Sequence, residues 1–409
     1  MTSPIVSESR FTMNRFNRLL LIVLAISILL AFALGALFQS STSGALRHAE
    51  AFEFRRMLTT QQGDQGAFRF FFATNRQLEE SGEAIEERFG NRRTADLQFG
   101  FFDTEIQPSL GIGWLIDLTD WFQNEEIQLR EVRTLQQSEF VEQLRAQVNA
   151  SPYHSLLINV NGFRERFPST LRKTAFLGHV LDIDSPLLVF DWPGDQGSTP
   201  MGYRRAQVVA RESGAELAKT LALVIREVQP ERLWLLANSM GGEVVVSAFT
   251  LLIEQPEFAD VETELEEVIL TAPDISHEEF GRRFRDEIQA LTQHLTVYVS
   301  SNDRALLMSR ILNREPRLGQ STVDLSNPDQ SEEAAKAFEL VVPESDLVTL
   351  VDVTPVNRTR NFHNFSLETP EFFDDLYLRL TNPQAPQTRL QYRVVSKSGA
   401  EYWVLTRGR

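Results

Sequence analysis

The chain has 409 residues, 42% of them hydrophobic, enough to bury a large core in one big domain or two. A formal net charge of -16 argues against a general nucleic-acid binder, because phosphate binding needs a basic surface. With no cysteine and six histidines, the chain has no disulfide, thiolate nucleophile or Cys-based zinc site, and a His-rich metal cluster is not expected.

Residues 1–18 read as a cytoplasmic tail carrying Arg10, Arg15 and Arg18, ahead of the uncharged apolar run Leu19–Phe38. Such a run is long enough to cross a bilayer as one helix. The preceding arginines predict a cytoplasmic N-terminus and a catalytic bulk on the exported side, periplasmic or extracellular. A cleaved signal peptide followed by secretion is the competing reading, since "QSSTSGA" could hold a cleavage site. The apolar region of a signal peptide is about 7 to 15 residues, shorter than this one. Without a cysteine after the run, a lipoprotein is excluded.

A polar link over 39–65 leads into a domain expected over 66–383. Its segments alternate between strand and helix patterns. "FRFFFAT", "DLQFGFF" and "EEIQLREV" are strand-like, "SEFVEQLRAQVN" is helical, and "SLLINVNGF" is a buried strand running into a Gly turn. "PLLVFDWPGDQG", a helix across "AQVVARESGAELAKTLALVIREV", and the strands "LEEVILTAPD", "HLTVYVSSND" and "LVTLVDVTPV" continue the pattern. This alternation predicts an α/β fold with a largely parallel sheet covered on both faces by helices, whose ligands bind at the carboxyl ends of the strands. Residues 314–346 are polar, acidic and weakly periodic, and read as an insertion loop. Residues 384–409 read as a C-terminal β-hairpin extension.

Within this frame, "RLWLLANSMGGEVVVSAFTLL" is a short apolar strand followed at once by a helical pattern, with Ser239 at the junction. Small residues surround it: Ala237 before, Gly241 and Gly242 after. This is the layout of a nucleophile elbow, G-x-S-x-G with the first Gly relaxed to Ala. A helix N-cap serine is the bland alternative. A serine hydroxyl needs a base, and an imidazole base needs a carboxylate. In hydrolases with this elbow the chain order is Ser, acid, His. Asp303 follows "HLTVYVSS", with Asp274 in "TAPD" as the rival acid, and His363 is the only histidine after Asp303. His48, His154, His179 and His294 need no chemistry, and His277 is at most a supporting residue. The oxyanion donors are expected from the Met240 N–H and from the loop "NGFRERF", where Gly162 lets the backbone approach and Phe163 N–H is the preferred second donor. Asn161, Gly162, Asn238 and Asp274 are expected to line the pocket. Arg164, Arg166, Arg204 and Arg205 leave strand ends and raise the question of an anionic substrate, against the bland reading of solvated surface charge.

The set "FFATNR", "NVNGF", "FDWPGDQG", "ANSMGG", "TAPDI" and "SSNDRAL" resembles a bacterial family of α/β-hydrolase-fold proteins of unknown function, the DUF900 group, from about Phe70 to about Phe365. The resemblance implies the α/β-hydrolase fold, with Ser239, Asp303 and His363 on the family's triad positions. Two departures stand out. Asn161 replaces the family histidine before the loop glycine, and Asn238 replaces the one before the nucleophile. The resulting expectation is a membrane-anchored serine hydrolase acting on a small-molecule or lipid-like acyl substrate, an ester or related bond, without cofactor or metal. The alternative is a non-catalytic membrane-tethered scaffold or binding protein of the same fold.

Overall fold

The computed structural model describes residues 67–80, 82, 84–106, 127–255, 265–281, 290–320, 348–359, 362–382, 390–395 and 401–406, together with Ile26. Apart from Ile26, the apolar run 19–38 lies outside the described residues, and no helix among those described is long and apolar enough to cross a membrane.

Eleven strands form one sheet in the order β10-β11-β9-β8-β7-β6-β4-β5-β1-β2-β3. They are β1 (Ala67–Leu78), β2 (Phe89–Ile106), β3 (Ile127–Leu135), β4 (Ser155–Val160), β5 (Leu187–Asp191), β6 (Arg232–Asn238), β7 (Leu265–Thr271), β8 (Thr292–Val299), β9 (Val348–Asp352), β10 (Gln391–Val395) and β11 (Glu401–Leu405). From β11 to β1 every neighbouring pair is parallel. The edges are antiparallel: β1, β2 and β3 form a meander at one side, and β10 pairs with β11 at the other. The C-terminal hairpin is therefore no appendage. Trp403 and Val404 pair with Val351 and Asp352, so it continues the central sheet.

The strand sequences explain the layering. Every residue of β4 and β5 is buried, as expected for strands covered on both faces. Alternate residues then feed two separate cores. Leu156, Ile158 and Val160 of β4 and Leu233, Leu235 and Ala237 of β6 enter one cluster; Leu157, Trp234 and Leu236 enter the other. Helices α1 (Gln137–Ala150), α3 (Pro200–Leu223) and α4 (Gly241–Ile253) cover the first face through residues such as Phe140, Tyr203, Ala210, Val245 and Phe249. Helices α2 (Phe167–Leu181) and α6 (Pro370–Thr381) cover the second through Phe167, Phe176, Phe372 and Phe373. Each of the phenylalanines, fully buried, contributes about 1.5–3 kcal/mol.

The chain moves from β4 sideways to β5, then crosses back to place β6 on the other flank of β4. The loops after β4 and β6 consequently diverge, leaving a crevice at their carboxyl ends. The insertion expected from 314 begins differently from the prediction. Arg317 pairs with Ser276 in an isolated bridge, Leu318 is buried, and Leu318–Gln320 form a short 3-10 turn, so the first part of this segment is core; 321–347 lie outside the described residues.

Candidate active site

Ser239 sits between β6 and α4 with a left-handed φ of 53°. A non-glycine residue held there costs about 1–3 kcal/mol, so its neighbours must impose the conformation. They do so on both sides. The Ser239 N–H donates to the Thr271 carbonyl at 2.9 Å, and its carbonyl accepts from Gly242 N–H and Asp274 N–H, both at 3.1 Å. The helix must also start close beneath β4. A Cβ on Gly241 would lie 2.6 Å from the Val160 carbonyl oxygen, so only glycine fits.

The end of β8 and the loop after β9 bring in the next two groups. Asp303 caps α5 (Arg304–Asn313): its Oδ1 accepts from Leu306 N–H at 2.9 Å, while Oδ2 lies 2.7 Å from His363 Nδ1. His363 Nε2 in turn lies 3.0 Å from Ser239 Oγ. The row Asp303–His363–Ser239 is buried throughout. Burial opposes the imidazolium, but the Asp303 carboxylate, with help from Asp274, outweighs it and raises the His363 pKa. Burial raises that of Asp303 as well, against the pull of His363. The two groups titrate as one pair.

Asp274 is not in this row. Its carboxylate is fixed by Tyr203 Oη at 2.6 Å, Ser309 Oγ at 2.5 Å and Arg317 Nε at 3.0 Å, and it lies beneath the nucleophile rather than along the pocket wall. The expectation that it lines the pocket is corrected accordingly. The reason is the left-handed Ala272 (φ 45°), after which the chain turns its next side chains toward α3 and α5. His277 does not line the pocket either; burial lowers its pKa to about 4.

The other expected residues converge on the crevice. Asn161, Gly162, Phe163 and Asn238 line a cavity of about 30 Å³ together with Ser239, His363, Asn159, Glu165, Lys173, Leu177, Leu236, Thr271, Asn364, Ser366 and Leu367. Gly162 packs against the elbow, where an added Cβ would lie 3.0 Å from both the Asn238 carbonyl oxygen and Ser239 Cβ. The Met240 amide precedes the first bond of α4, which runs from Gly242 N–H to the Ser239 carbonyl, and so belongs to the helix's N-terminal donors. Asn238 donates to Thr271 Oγ1 at 2.9 Å and Ser366 Oγ at 3.0 Å, tying the elbow to the segment after His363. Arg204 and Arg205 are exposed on α3, Arg166 is exposed before α2, and none of the four arginines lines the cavity. Half-buried Arg164 has its pKa lowered by burial against the opposing charge of Glu165.

Several supporting residues escaped the sequence reading. Arg76, fully buried at the end of "FFATNR", donates to Asp191 at 2.5 Å, Asp195 at 2.7 Å, and the carbonyls of Glu165 at 2.6 Å and Trp192 at 2.8 Å. Trp192 Nε1 donates to the Asn161 carbonyl at 2.7 Å and Arg164 N–H to the Gly194 carbonyl at 3.0 Å. The "FDWPGDQG" segment thus carries the loop that presents Phe163. Asn357 holds the histidine loop by donating to the Phe362 carbonyl at 2.7 Å and to Ser300 Oγ at 2.9 Å, next to the acid. The one available signal for Arg76 was a cation following the apolar run Phe70–Ala73 within one strand, since such a charge is buried only when paired.

Among the described residues no group of three or more His, Asp or Glu could hold a metal ion. No curated protein matches the chain. The solved structures it resembles include a zinc-bound, cold-adapted esterase from an Arctic intertidal metagenomic library, 10% identical, with a TM-score of 0.34 over 78% of this chain and 97% of that one. A family model described as "Alpha/beta hydrolase of unknown function (DUF900)" matches residues 136–376, more than half of the sequence, and the chain belongs to that α/β-hydrolase family.

Proposed function

We propose that this protein is a serine hydrolase that cleaves an ester or related acyl bond through an acyl-enzyme, held at a membrane by Leu19–Phe38 with its catalytic domain on the exported side. The observation that carries the chemistry is the hydrogen-bonded row in which His363 stands 2.7 Å from Asp303 and 3.0 Å from Ser239. In this mechanism neutral His363 keeps its proton on Nδ1, facing Asp303, and takes the Ser239 proton at Nε2 as Oγ attacks the carbonyl carbon. The tetrahedral oxyanion is met by the Met240 and Phe163 N–H groups. His363 then passes the proton to the leaving oxygen, the acyl-serine forms, and a water activated by the same imidazole releases the acid. Asp303 orients the ring and stabilises its cation.

Labelling by a fluorophosphonate probe tests the chemistry, since only an activated serine reacts. Labelling and ester turnover that both vanish in Ser239→Ala are expected. A protein that neither labels nor hydrolyses any ester would instead be a tethered scaffold. The anchor is supported by the uncharged run 19–38 behind three arginines. Its test is fractionation: release by carbonate, or a mature N-terminus just after the run, would replace the anchor with a cleaved signal.

A further inference from the structure

Resting on the serine hydrolase reading, we infer that the substrate's short arm beside the scissile carbonyl carries an oxygen acceptor, met by the Lys173 ammonium and the Asn161 side-chain amide. The crevice next to Ser239 is open on one side, and its enclosed space of about 30 Å³ holds two or three water-sized groups. Ten of its fifteen lining residues are polar, Asn159, Asn161, Lys173, Asn238, Asn364 and Ser366 among them, alongside Phe163, Leu177, Leu236 and Leu367.

The hydrogen bonds already made inside the cavity decide which ligand chemistry is missing. Lys173 is 6% exposed, and an ammonium has three donors. Among the described residues its one hydrogen-bond partner is Glu165 Oε1. The Asn161 Nδ2 is buried with no hydrogen-bond partner among the described residues. Unspent buried donors are costly, and in working sites they are completed by water or by ligand. On the acceptor side, both Glu165 carboxylate oxygens are engaged, by Lys173 and by Ser169 Oγ. The buried donors with spare capacity are thus the Lys173 ammonium and Asn161 Nδ2, and what they select is a ligand oxygen. Because Lys173 is already neutralised by Glu165, that oxygen need not be anionic: a hydroxyl, an amide carbonyl or a carboxylate offers the same acceptor. The exposed Arg204 and Arg205 lie outside the cavity and take no part.

The test compares five esters on the full-length chain by pH-stat: ethyl butyrate, ethyl octanoate, ethyl 3-hydroxybutyrate, monoethyl succinate and 2-hydroxyethyl butyrate. At least one acceptor-bearing ester is expected to exceed ethyl butyrate about tenfold in kcat/KM. Hydroxybutyrate against succinate separates a neutral from an anionic acceptor, and 2-hydroxyethyl butyrate separates the alcohol arm from the acyl arm. The paired variant Lys173→Met with Glu165→Gln avoids a lone buried charge and should remove the preference, while Asn161→Ala should weaken it. Fluorophosphonate labelling of both variants reports that the fold and Ser239 remain intact. Binding of the same esters to Ser239→Ala, read by saturation-transfer NMR, answers the pocket question even where turnover is absent. Absence of labelling in the wild-type protein, with selective binding to Ser239→Ala, would sink the hydrolase reading alone. Ethyl butyrate and ethyl octanoate turned over and bound as well as the acceptor-bearing esters would overturn the inference.

Discussion

Two carboxylates occupy equivalent places at the ends of neighbouring parallel strands, and their partners give them opposite characters. Asp274 follows β7 and Asp303 follows β8, each only 1% exposed. Asp303 faces an imidazole, a group that changes charge near neutral pH. Asp274 faces a guanidinium, a phenol and a hydroxyl, which do not. Position at a strand end makes a carboxylate available; the titratability of what it meets decides whether it can take part in proton transfer. The Asp274 region instead braces Ser239. Its backbone N–H holds the nucleophile's carbonyl, and residues 317–320 stitch it to the acid loop through Leu318 N–H to Ile275, Gly319 N–H to Pro273, Ser300 N–H to Gly319, and Gln320 Nε2 to the Asp303 carbonyl.

The largest expected effects fall on the row itself. Ser239→Ala and His363→Ala should each lower kcat by about 10⁶, leaving residual catalysis from the oxyanion donors and binding. Near-wild-type turnover in either variant would break the comparison at its root.

The comparison is next tested by swapping the acids. Asp303→Asn should cost about 10⁴ in kcat, because an amide leaves His363 in the wrong tautomer, while the helix keeps a good N-cap. Asp274→Asn should change kcat by about tenfold or less, yet lower stability by about 3 kcal/mol by unbalancing buried Arg317. Steady-state kinetics beside thermal unfolding separate the two. A larger kinetic loss for Asp274→Asn would reverse the assignment of roles.

The pH profile sharpens the contrast further. His363 must be unprotonated to accept the serine proton, and its pKa is raised from 6.5. The acid limb of kcat/KM is therefore expected above pH 6.5, with activity falling as pH drops through it. In Asp274→Asn the limb should move slightly down, because Asp274 adds to the upward push. A limb below pH 6 in the wild type would contradict the pairing with Asp303.

A third buried carboxylate, Glu243 in the first turn of α4, has neither kind of close partner. Arg211 reaches it at 3.4 Å from a half-exposed position, and Glu243 Oε1 lacks a hydrogen-bond partner among the described residues. Burial first, then the charge of Glu279, raises its pKa from 4.5 to about 7. A carboxylate raised on folding costs nothing below its unfolded pKa and destabilises progressively as pH rises through the folded value. Glu243→Gln should accordingly raise stability by up to about 3 kcal/mol above pH 7 and by almost nothing at pH 4.5, as read from denaturation at the two pH values. An equal gain at both would show that Glu243 is not the group titrating.

Much of this was legible in the chain because it is local. Period-2 and period-3.6 patterns are set by neighbouring residues, so β4, β6, α3 and the strand-to-helix junction at Ser239 could be read directly. The chain order Ser239, Asp303, His363 follows from strand-end placement, which fold topology carries along the sequence. The choice between Asp274 and Asp303 could only be ranked, because it turns on where left-handed Ala272 aims Asp274 and on the loop that brings His363 to Asp303. The same holds for Arg76, which braces the oxyanion loop through groups 89 to 119 positions away, and for Arg317, which lies in a segment whose composition reads as loop. Lys173 carried no signal in the sequence; only the packing of α2 against the sheet places it beside Glu165 in the wall of the cavity. Pattern encodes which residues face inward; long-range packing alone determines which inward-facing polar groups meet, because hydrogen bonds are specific to distance and direction while hydrophobic burial is not.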